Sequence, residues 1–399
     1  MRMQLDKVYA VSRRYVPSIP EKSDHMLTVT TERLAGNVYV RCEEFEIFSG
    51  LPDDTALVSS NFAVWFALPI AMRLGRNIHI AGTVSPTAAR NAERLSHLWE
   101  TWKPELFTSI SVTADTMAET PPSRTEKRLM AFSGGLDSTV ALHDFHARTG
   151  LRPDLITVHG MDYKRDDQIR FEKLLKKTDA FRSGVSDSQI ISRSNASSVM
   201  RRFEIKPDIG FGFQLAGTLF LHENFYSRAM IAADFADFYE CLIGPYGTTS
   251  AAVALFKSEN FGIDLLSLER TKAEKAAVAL QDERILRSIS FCKNYDTRPD
   301  NCGMCSKCVR TKALFYAISG DIPDIFLKRA FDPSDLQGID LSRSYERVFA
   351  QDNLRIARLN GRADEFAFLK EGLAEKTKPS RLRIALYKFG VFLRGRSLT

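Results

Sequence analysis

The chain has 399 residues, of which 44% are hydrophobic and 26% charged, an ordinary composition for a globular protein of two or three domains. No run approaches the roughly 18 apolar residues of a membrane-spanning helix, and the first residues lack the apolar core of a secretory signal. Composition therefore excludes a transmembrane protein and predicts a cytoplasmic one.

Residues 1–120 alternate short strand-like runs with turns, which predicts an N-terminal α+β domain. Period-two patterns predict strands at 7–11, 25–30, 37–42 and 77–82. Helices are predicted over 60–74, ending before Gly75, and from Ser85 to a stop before Pro104. This domain carries no catalytic signature, so its role stays open. The polar segment that follows contains a Pro-Pro pair and predicts a linker over residues 121–127.

From Arg128 the pattern becomes alternating strand and helix, which predicts an α/β domain over residues 128–320. Apolar runs at 129–132, 155–160, 189–192 and 229–234 are separated by helical segments, including 164–178 and 212–225. Such spacing is typical of a doubly wound parallel sheet. Ligands of these sheets bind at the carboxyl ends of the strands.

A glycine-bearing turn follows the first of these strands and opens a helix. Its residues are candidates for phosphate binding, because glycines allow close backbone approach and free amides at a helix start attract anions. The turn lacks the lysine of the GxxxxGK[ST] loop and does not match GxGxxG. His159 and Gly160 end the second strand and are predicted at the same edge. The candidate nucleotide-binding residues are Ser133, Gly134, Gly135, Leu136, Asp137, Ser138, Thr139, His159 and Gly160.

The Ser-Gly-Gly-Leu-Asp-Ser sequence at 133–138 resembles the loop of the PP-loop ATP pyrophosphatase superfamily. The resemblance implies that the loop holds the pyrophosphate end of ATP and that Asp137 orients the loop or helps to place Mg²⁺. Enzymes of this type carry a cation at a later helix start; Lys272 matches best and Arg270 is the second choice. The predicted catalytic residues are therefore Ser133, Asp137 and Lys272. We expect replacement of Ser133 or Asp137 to abolish AMP formation and to leave the fold intact.

Four of the six cysteines crowd into seventeen residues as Cys292, Cys302, Cys305 and Cys308. Four cysteines with CxxCxxC spacing suit a closed structural zinc site, with an iron–sulfur cluster as the alternative. We expect Cys292 to lie at a strand end. We also expect three nearby cations to offset the thiolate charge: Lys293, Lys307 and Arg310.

The loop and the cysteine cluster together, over about residues 128–315, resemble 7-cyano-7-deazaguanine synthase. The resemblance implies a carbon–nitrogen ligase that adenylates a carboxylate with ATP, releases pyrophosphate, and lets ammonia or an amine displace AMP. The substrate is a deazaguanine or a repurposed carboxylate, such as a protein in a bacterial defence system. One alternative is a tRNA-modifying sulfur or nitrogen transferase that uses the same adenylation. Another is a non-catalytic nucleotide-binding subunit. A protein partner and a homodimer stay open.

Residues 321–399 are predicted to be helical, with helices over 341–350, 353–359 and 364–374. The tail after residue 375 holds seven basic residues and no acidic one. Because the net charge is +6, the rest of the chain carries about −1. Two interpretations of this tail stay open. It contacts nucleic-acid phosphates or anionic lipid, or it forms a terminal helix that docks on the rest of the protein.

Overall fold

The computed structural model describes residues 21–375 together with Ala385. The predicted strand at 7–11 and the proposed role of the basic tail lie outside the described residues. Within them the chain is an α/β structure with two five-stranded sheets. None of the helices in the described range has the length and apolar character needed to span a membrane.

The first sheet is mixed and has the strand order β3-β2-β1-β4-β5. Strand β1 pairs antiparallel with β2 and parallel with β4, and β4 pairs parallel with β5. The strands predicted at 25–30, 37–42 and 77–82 lie in β1, β2 and β4, whereas β3 and β5 were not predicted. The bounds are β1 Ser23–Leu34, β2 Asn37–Arg41, β3 Glu46–Gly50, β4 Arg76–Val84 and β5 Val112–Met117.

Two helices cover this sheet, and both have the ends that the sequence indicates. Helix α1 (Asn61–Leu74) ends at Gly75, whose φ of +66° is the left-handed conformation that glycine adopts without strain. Helix α2 (Pro86–Trp102) begins after Ser85, whose hydroxyl accepts a hydrogen bond from the Ala88 amide.

The second sheet is parallel throughout, with the order β10-β9-β6-β7-β8. This confirms the predicted parallel sheet. Met130 and Leu155 face one core, and Leu129 and Ile156 face the other, so apolar layers cover both faces. The strand bounds are β6 Arg128–Ala131, β7 Asp154–His159, β8 Gln189–Arg193, β9 Arg228–Ala232 and β10 Ile263–Leu266.

The helices around this sheet differ in places from the predicted ranges. The helix predicted over 164–178 starts and ends later, and the one predicted over 212–225 starts five residues earlier, at Pro207, a favoured first helical residue. The two segments predicted over 341–350 and 353–359 form one helix. The bounds are α3 Leu136–Thr149, α4 Gln168–Val185, α5 Ala196–Arg202, α6 Pro207–Phe220, α7 Asp237–Glu240, α8 Ser250–Val253, α9 Lys272–Gln281, α10 Glu283–Ser288, α11 Ser306–Ser319, α12 Ser344–Leu359 and α13 Phe368–Glu375.

Helix α1 lies between the two sheets and joins their cores. It packs against α6 so closely that a Cβ at Gly217 would stand 2.7 Å from the Phe66 ring. Trp65 contacts Phe220 and Phe256, with ring centroids 5.5 and 5.3 Å apart. The N-terminal unit therefore shares one hydrophobic core with a face of the second sheet.

Candidate functional site

The turn between β6 and α3 brings two hydroxyls and free backbone amides together. Gly134 has a φ of +71°, and a Cβ there would lie 3.0 Å from side-chain atoms of Leu174 and Thr178. The Ser133 and Ser138 Oγ atoms are 3.2 Å apart, and Ser133 Oγ accepts a hydrogen bond from the Gly135 amide. Among residues 21–375, no side chain caps the N-terminus of α3. The turn thus presents donors suited to an anion.

This turn opens into a cavity of about 440 Å³ at the carboxyl ends of the strands. Strands β6 and β9 are neighbours, and the chain leaves β6 toward β7 but leaves β9 toward β10. Such a reversal is the place where open α/β sheets bind ligands. Ser133 after β6 and Asp234 after β9 both line the cavity.

Asp137 forms a charged cluster with two lysines, of which Lys272 lines the cavity and Lys275 does not. The Asp137 carboxylate accepts hydrogen bonds from Lys272 Nζ and, at 3.1 Å, from Lys275 Nζ. Lys275 has 0% side-chain exposure and also donates to the Ala233 carbonyl. Burial would raise the pKa of Asp137, but the charges of Lys272 and Lys275 outweigh it and lower that pKa. Burial lowers the pKa of Lys275, and Asp137 opposes this effect.

Asp234 is a second carboxylate in the cavity. Its Oδ2 lies 3.3 Å from the Thr248 hydroxyl. Burial raises the pKa of Asp234 against the opposing charge of Lys272, and the negative charge of Asp137 raises it further. Of the glycine-rich loop at 244–250, only Thr248 lines the cavity. The loop packs so tightly on the start of α6 that a Cβ at Gly247 would stand 2.3 Å from the Ile209 carbonyl oxygen.

Four of the predicted nucleotide-binding residues do not line the cavity: Gly134, Thr139, His159 and Gly160. The His159 ring is buried and stacks on Phe171 with centroids 4.1 Å apart, and its Nε2 lies 2.9 Å from the Lys164 carbonyl oxygen. Burial lowers the pKa of His159, which favours the neutral ring. Gly160 has a φ of +113°, and a Cβ there would be 2.0 Å from the Ser194 carbonyl oxygen. The His159 ring thus packs against α4, and Gly160 packs against the backbone that follows β8.

Of the two cations suggested by the sequence, Lys272 lines the cavity and Arg270 does not. Arg270 Nε instead donates to Asp144 at 2.6 Å, which holds α3 to the start of α9. A Thr271–Glu274 capping box fixes the first turn of α9, in which Lys272 is the first helical residue.

The four predicted metal ligands lie together. The Sγ atoms of Cys292, Cys302, Cys305 and Cys308 are all within 4.8 Å of one another, so they are close enough to bind a metal ion. Backbone amides of residues 304 and 305 each donate to Cys302 Sγ at 3.3 Å, and the Asn294 amide donates to Cys292 Sγ at 3.3 Å. Such contacts suit thiolates, and the donor set is compatible with structural zinc.

The backbone around the cysteines shows why residue 303 is a glycine and corrects the predicted location of Cys292. Gly303 has a φ of +77°, and a Cβ there would be 2.0 Å from the Lys328 carbonyl oxygen, so a side chain does not fit. Cys292 was predicted at a strand end, but it lies in the irregular segment after α10. The four-cysteine site is built from this segment and the start of α11.

Two of the cations expected to offset the thiolate charge also line the cavity. Lys307 and Arg310, on α11, both line it. Arg310 Nη1 donates to Glu346 at 2.6 Å, and the guanidinium lies over the Phe349 ring, 4.2 Å from its centroid. Lys293 Nζ donates to Ser306 Oγ at 2.9 Å.

Arg298 connects the cysteine-bearing segment to the loop after β7. Its guanidinium donates to the Asp162 carbonyl and to the Cys292 carbonyl. It also lies over the rings of Tyr163 and Tyr295, 5.4 and 5.1 Å from their centroids. Because Arg298, Asp162 and Tyr163 line the cavity, the cysteine site supports one of its walls.

Sequence reasoning missed Lys275 and gave Arg310 another role. Helical spacing was the available signal for Lys275, since it lies three residues after Lys272 and shares its face of α9. For Arg310 the signal was the position two residues after Cys308, within the first turns of α11.

Comparison of the chain with protein-family models, with curated proteins and with solved structures found no match.

Proposed function

We propose that the protein is an ATP-dependent carbon–nitrogen ligase of the PP-loop ATP pyrophosphatase type, similar to 7-cyano-7-deazaguanine synthase. It would convert ATP to AMP and pyrophosphate while activating a carboxylate. One observation carries the proposal: the Ser133–Ser138 turn, the Asp137–Lys272–Lys275 cluster and Asp234 all meet at the strand-order reversal of a parallel sheet.

The cavity residues divide into groups that suit this chemistry. The hydroxyls of Ser133 and Ser138 and the free amides of α3 would hold the pyrophosphate end of ATP. Lys272 would shift from Asp137 to the phosphates and offset the charge that develops there. Asp137 and Asp234 offer the carboxylate oxygens that Mg²⁺ prefers, and the ion would neutralise phosphate charge.

The reaction needs no general base from the cavity wall for its first step. An oxygen of the acceptor carboxylate attacks the α-phosphorus of ATP, the bond to the bridging oxygen breaks, and pyrophosphate leaves. Ammonia or an amine then attacks the acyl carbon, loses a proton, and AMP leaves with the bond electrons. No histidine is among the described residues that line the cavity. Catalysis would rest on positioning and on charge neutralisation.

For the four-cysteine site we propose a structural Zn²⁺. The four sulfurs leave no place for a reactive water, and their backbone hydrogen bonds suit a closed site. Metal analysis of the purified protein should give one zinc per chain, whereas iron with acid-labile sulfide would indicate a cluster.

The test is ATP turnover in the presence of Mg²⁺, with AMP, ADP and pyrophosphate separated. The acceptor is 7-carboxy-7-deazaguanine with ammonium, and a reaction without acceptor is the control. We expect acceptor-dependent AMP and pyrophosphate. Ser133→Ala should reduce the rate by about 100-fold, as for loss of one oxyanion donor. Ser183→Ala, at an exposed position on α4, is the matched control.

Each other outcome has a defined meaning. Formation of ADP would contradict adenylation. ATP binding without turnover of the deazaguanine would move the search to tRNA or protein acceptors. ATP binding with no turnover of any acceptor would favour the non-catalytic nucleotide-binding subunit, and a protein that binds no ATP would disprove the proposal.

A further inference from the structure

Helix α11 presents one face to the cavity. The lining residues Lys307, Arg310, Thr311 and Leu314 recur at three- and four-residue spacing, which places them on one side of the helix. The remaining side of its first turn carries Cys308, a member of the four-cysteine site. Two cations thus reach the cavity from an element other than the Ser133–Ser138 turn.

Arg310 is buried and held in one orientation. Its side chain is 7% exposed, and the guanidinium is fixed by the bond to Glu346 and by the Phe349 ring. Glu346 engages Nη1 only, and Arg310 Nε is buried with no hydrogen-bond partner in the described part of the chain. A buried guanidinium with an unused donor is costly unless another group satisfies it. An oxyanion is the natural partner, since the planar fork of arginine matches carboxylate and phosphate oxygens.

Lys307 has a different character, and it complements Arg310. It lies one helical turn before Arg310, lines the cavity and is exposed. Its charge acts on Asp234, whose pKa it lowers in opposition to burial. The only other cavity lysine, among the described residues, is Lys272, which Asp137 already engages. Lys307 is therefore available to an incoming anion.

We propose that Arg310 and Lys307 form an oxyanion subsite of the cavity, separate from the Ser133–Ser138 turn. The ligand is a carboxylate or a phosphate group of one of the two reactants. This assignment rests on the proposed function for its reactants. The acceptor carboxylate and the ATP phosphates share the chemistry, and binding measurements distinguish them.

The experiment measures the affinities of three probes by calorimetry: MgATP, inorganic pyrophosphate and 7-carboxy-7-deazaguanine. The variants are Lys307→Gln, which changes an exposed side chain, and Arg310→Lys, which keeps the charge beside Glu346 but loses the fork. Thermal unfolding verifies that each variant is folded. Lys293→Gln is the matched control, because Lys293 belongs to the cysteine segment but does not line the cavity. We expect both test variants to weaken at least one probe by about tenfold.

The pattern of losses identifies the anion. Weaker MgATP and pyrophosphate binding assigns the subsite to phosphate, and weaker binding of the deazaguanine alone assigns it to the acceptor carboxylate. Unchanged affinities for all three probes, or a wild-type protein that binds none of them, would overturn the subsite. The pyrophosphate measurement needs no nucleotide. Failure of the adenylation proposal, seen as absence of MgATP binding and AMP, is therefore distinguishable from failure of the subsite.

Discussion

Replacing Asp137 by asparagine tests the charge balance at the centre of the cavity. The substitution removes the carboxylate that Lys275 contacts at 3.1 Å, while Lys275 keeps 0% side-chain exposure. A buried cation that loses its partner costs about 3 to 5 kcal/mol of folding free energy. The destabilisation cannot exceed about 5 kcal/mol at pH 7, because Lys275 can lose its proton instead of staying charged. Each pH unit below its ordinary pKa of about 10.4 adds about 1.4 kcal/mol to the free energy of that deprotonation.

The pH dependence of this loss gives a second prediction from the same variant. Burial holds the pKa of Lys275 below its unfolded value, so the penalty of the charged form is present at low pH. The penalty is relieved as the pH rises toward the unfolded pKa. Removing the Asp137 charge lowers the pKa of Lys275 further. The stability deficit of Asp137→Asn should therefore shrink as the pH rises from the pKa of Lys275 in the variant to that in the wild type, by at most about 1.4 kcal/mol for each pH unit.

Urea unfolding at several pH values measures this deficit. Asp208→Asn, at an exposed position on the cavity rim, is the matched control and should change stability little. Adding Lys275→Met to Asp137→Asn should restore much of the lost stability. A deficit under about 1 kcal/mol at pH 7, or one that does not vary with pH, would refute the proposed charge balance.

Three further predictions concern packing, burial and metal binding. Gly160→Ala should lower the free energy of unfolding by more than about 2 kcal/mol, because its Cβ would overlap the Ser194 carbonyl. Gly244→Ala is the control, since a Cβ there would meet open space. Equal effects of the two substitutions in denaturant unfolding would contradict this prediction. Burial raises the pKa of Glu223 from 4.5 to about 7, so its contribution is complete below about pH 4.5 and declines as the pH rises to 7. Stability curves of Glu223→Gln should lack this decline, about 3 kcal/mol at most, and a curve parallel to wild type would argue against it. Chelation of metal should expose the segment around Cys305 to limited proteolysis and weaken pyrophosphate binding, with recovery on adding Zn²⁺; unchanged cleavage and binding would show that metal does not support the cavity wall.

The sequence predicted a structural feature correctly where one continuous segment contains all the residues that form it. The apolar run, two glycines and serines around Gly134 define a strand, a turn and a helix start, and all three are present. The cysteine spacing similarly predicted a cluster that the structure brings together. The helix over 60–74 was predicted almost to the residue because Gly75 ends it. Such features depend on neighbouring residues, which a sequence displays directly.

Contacts between distant segments were beyond the local signals. Asp137 and Lys275 are 138 residues apart in the chain, and no periodicity links them. We expected from the sequence that Asp137 could be replaced without cost to the fold, because the sequence does not show its contact with Lys275. That contact with a buried lysine argues against the expectation. The buried location of α1 had a readable signal that was not used, since a helix apolar on all sides predicts burial on all sides.

The central position of α1 also has a consequence for the order of events during synthesis. Ribosomes add about 5 to 20 residues per second, so roughly 7 to 27 seconds pass between the completion of α1 and the start of α6 at Pro207. Throughout that interval the surface of α1 that will meet α6, including Phe66, has no permanent cover. We expect nascent chains stalled before residue 207 to be cleaved within α1 by added protease or bound by chaperones. Chains stalled well beyond α8 should be protected, and equal cleavage at both lengths would argue against this dependence.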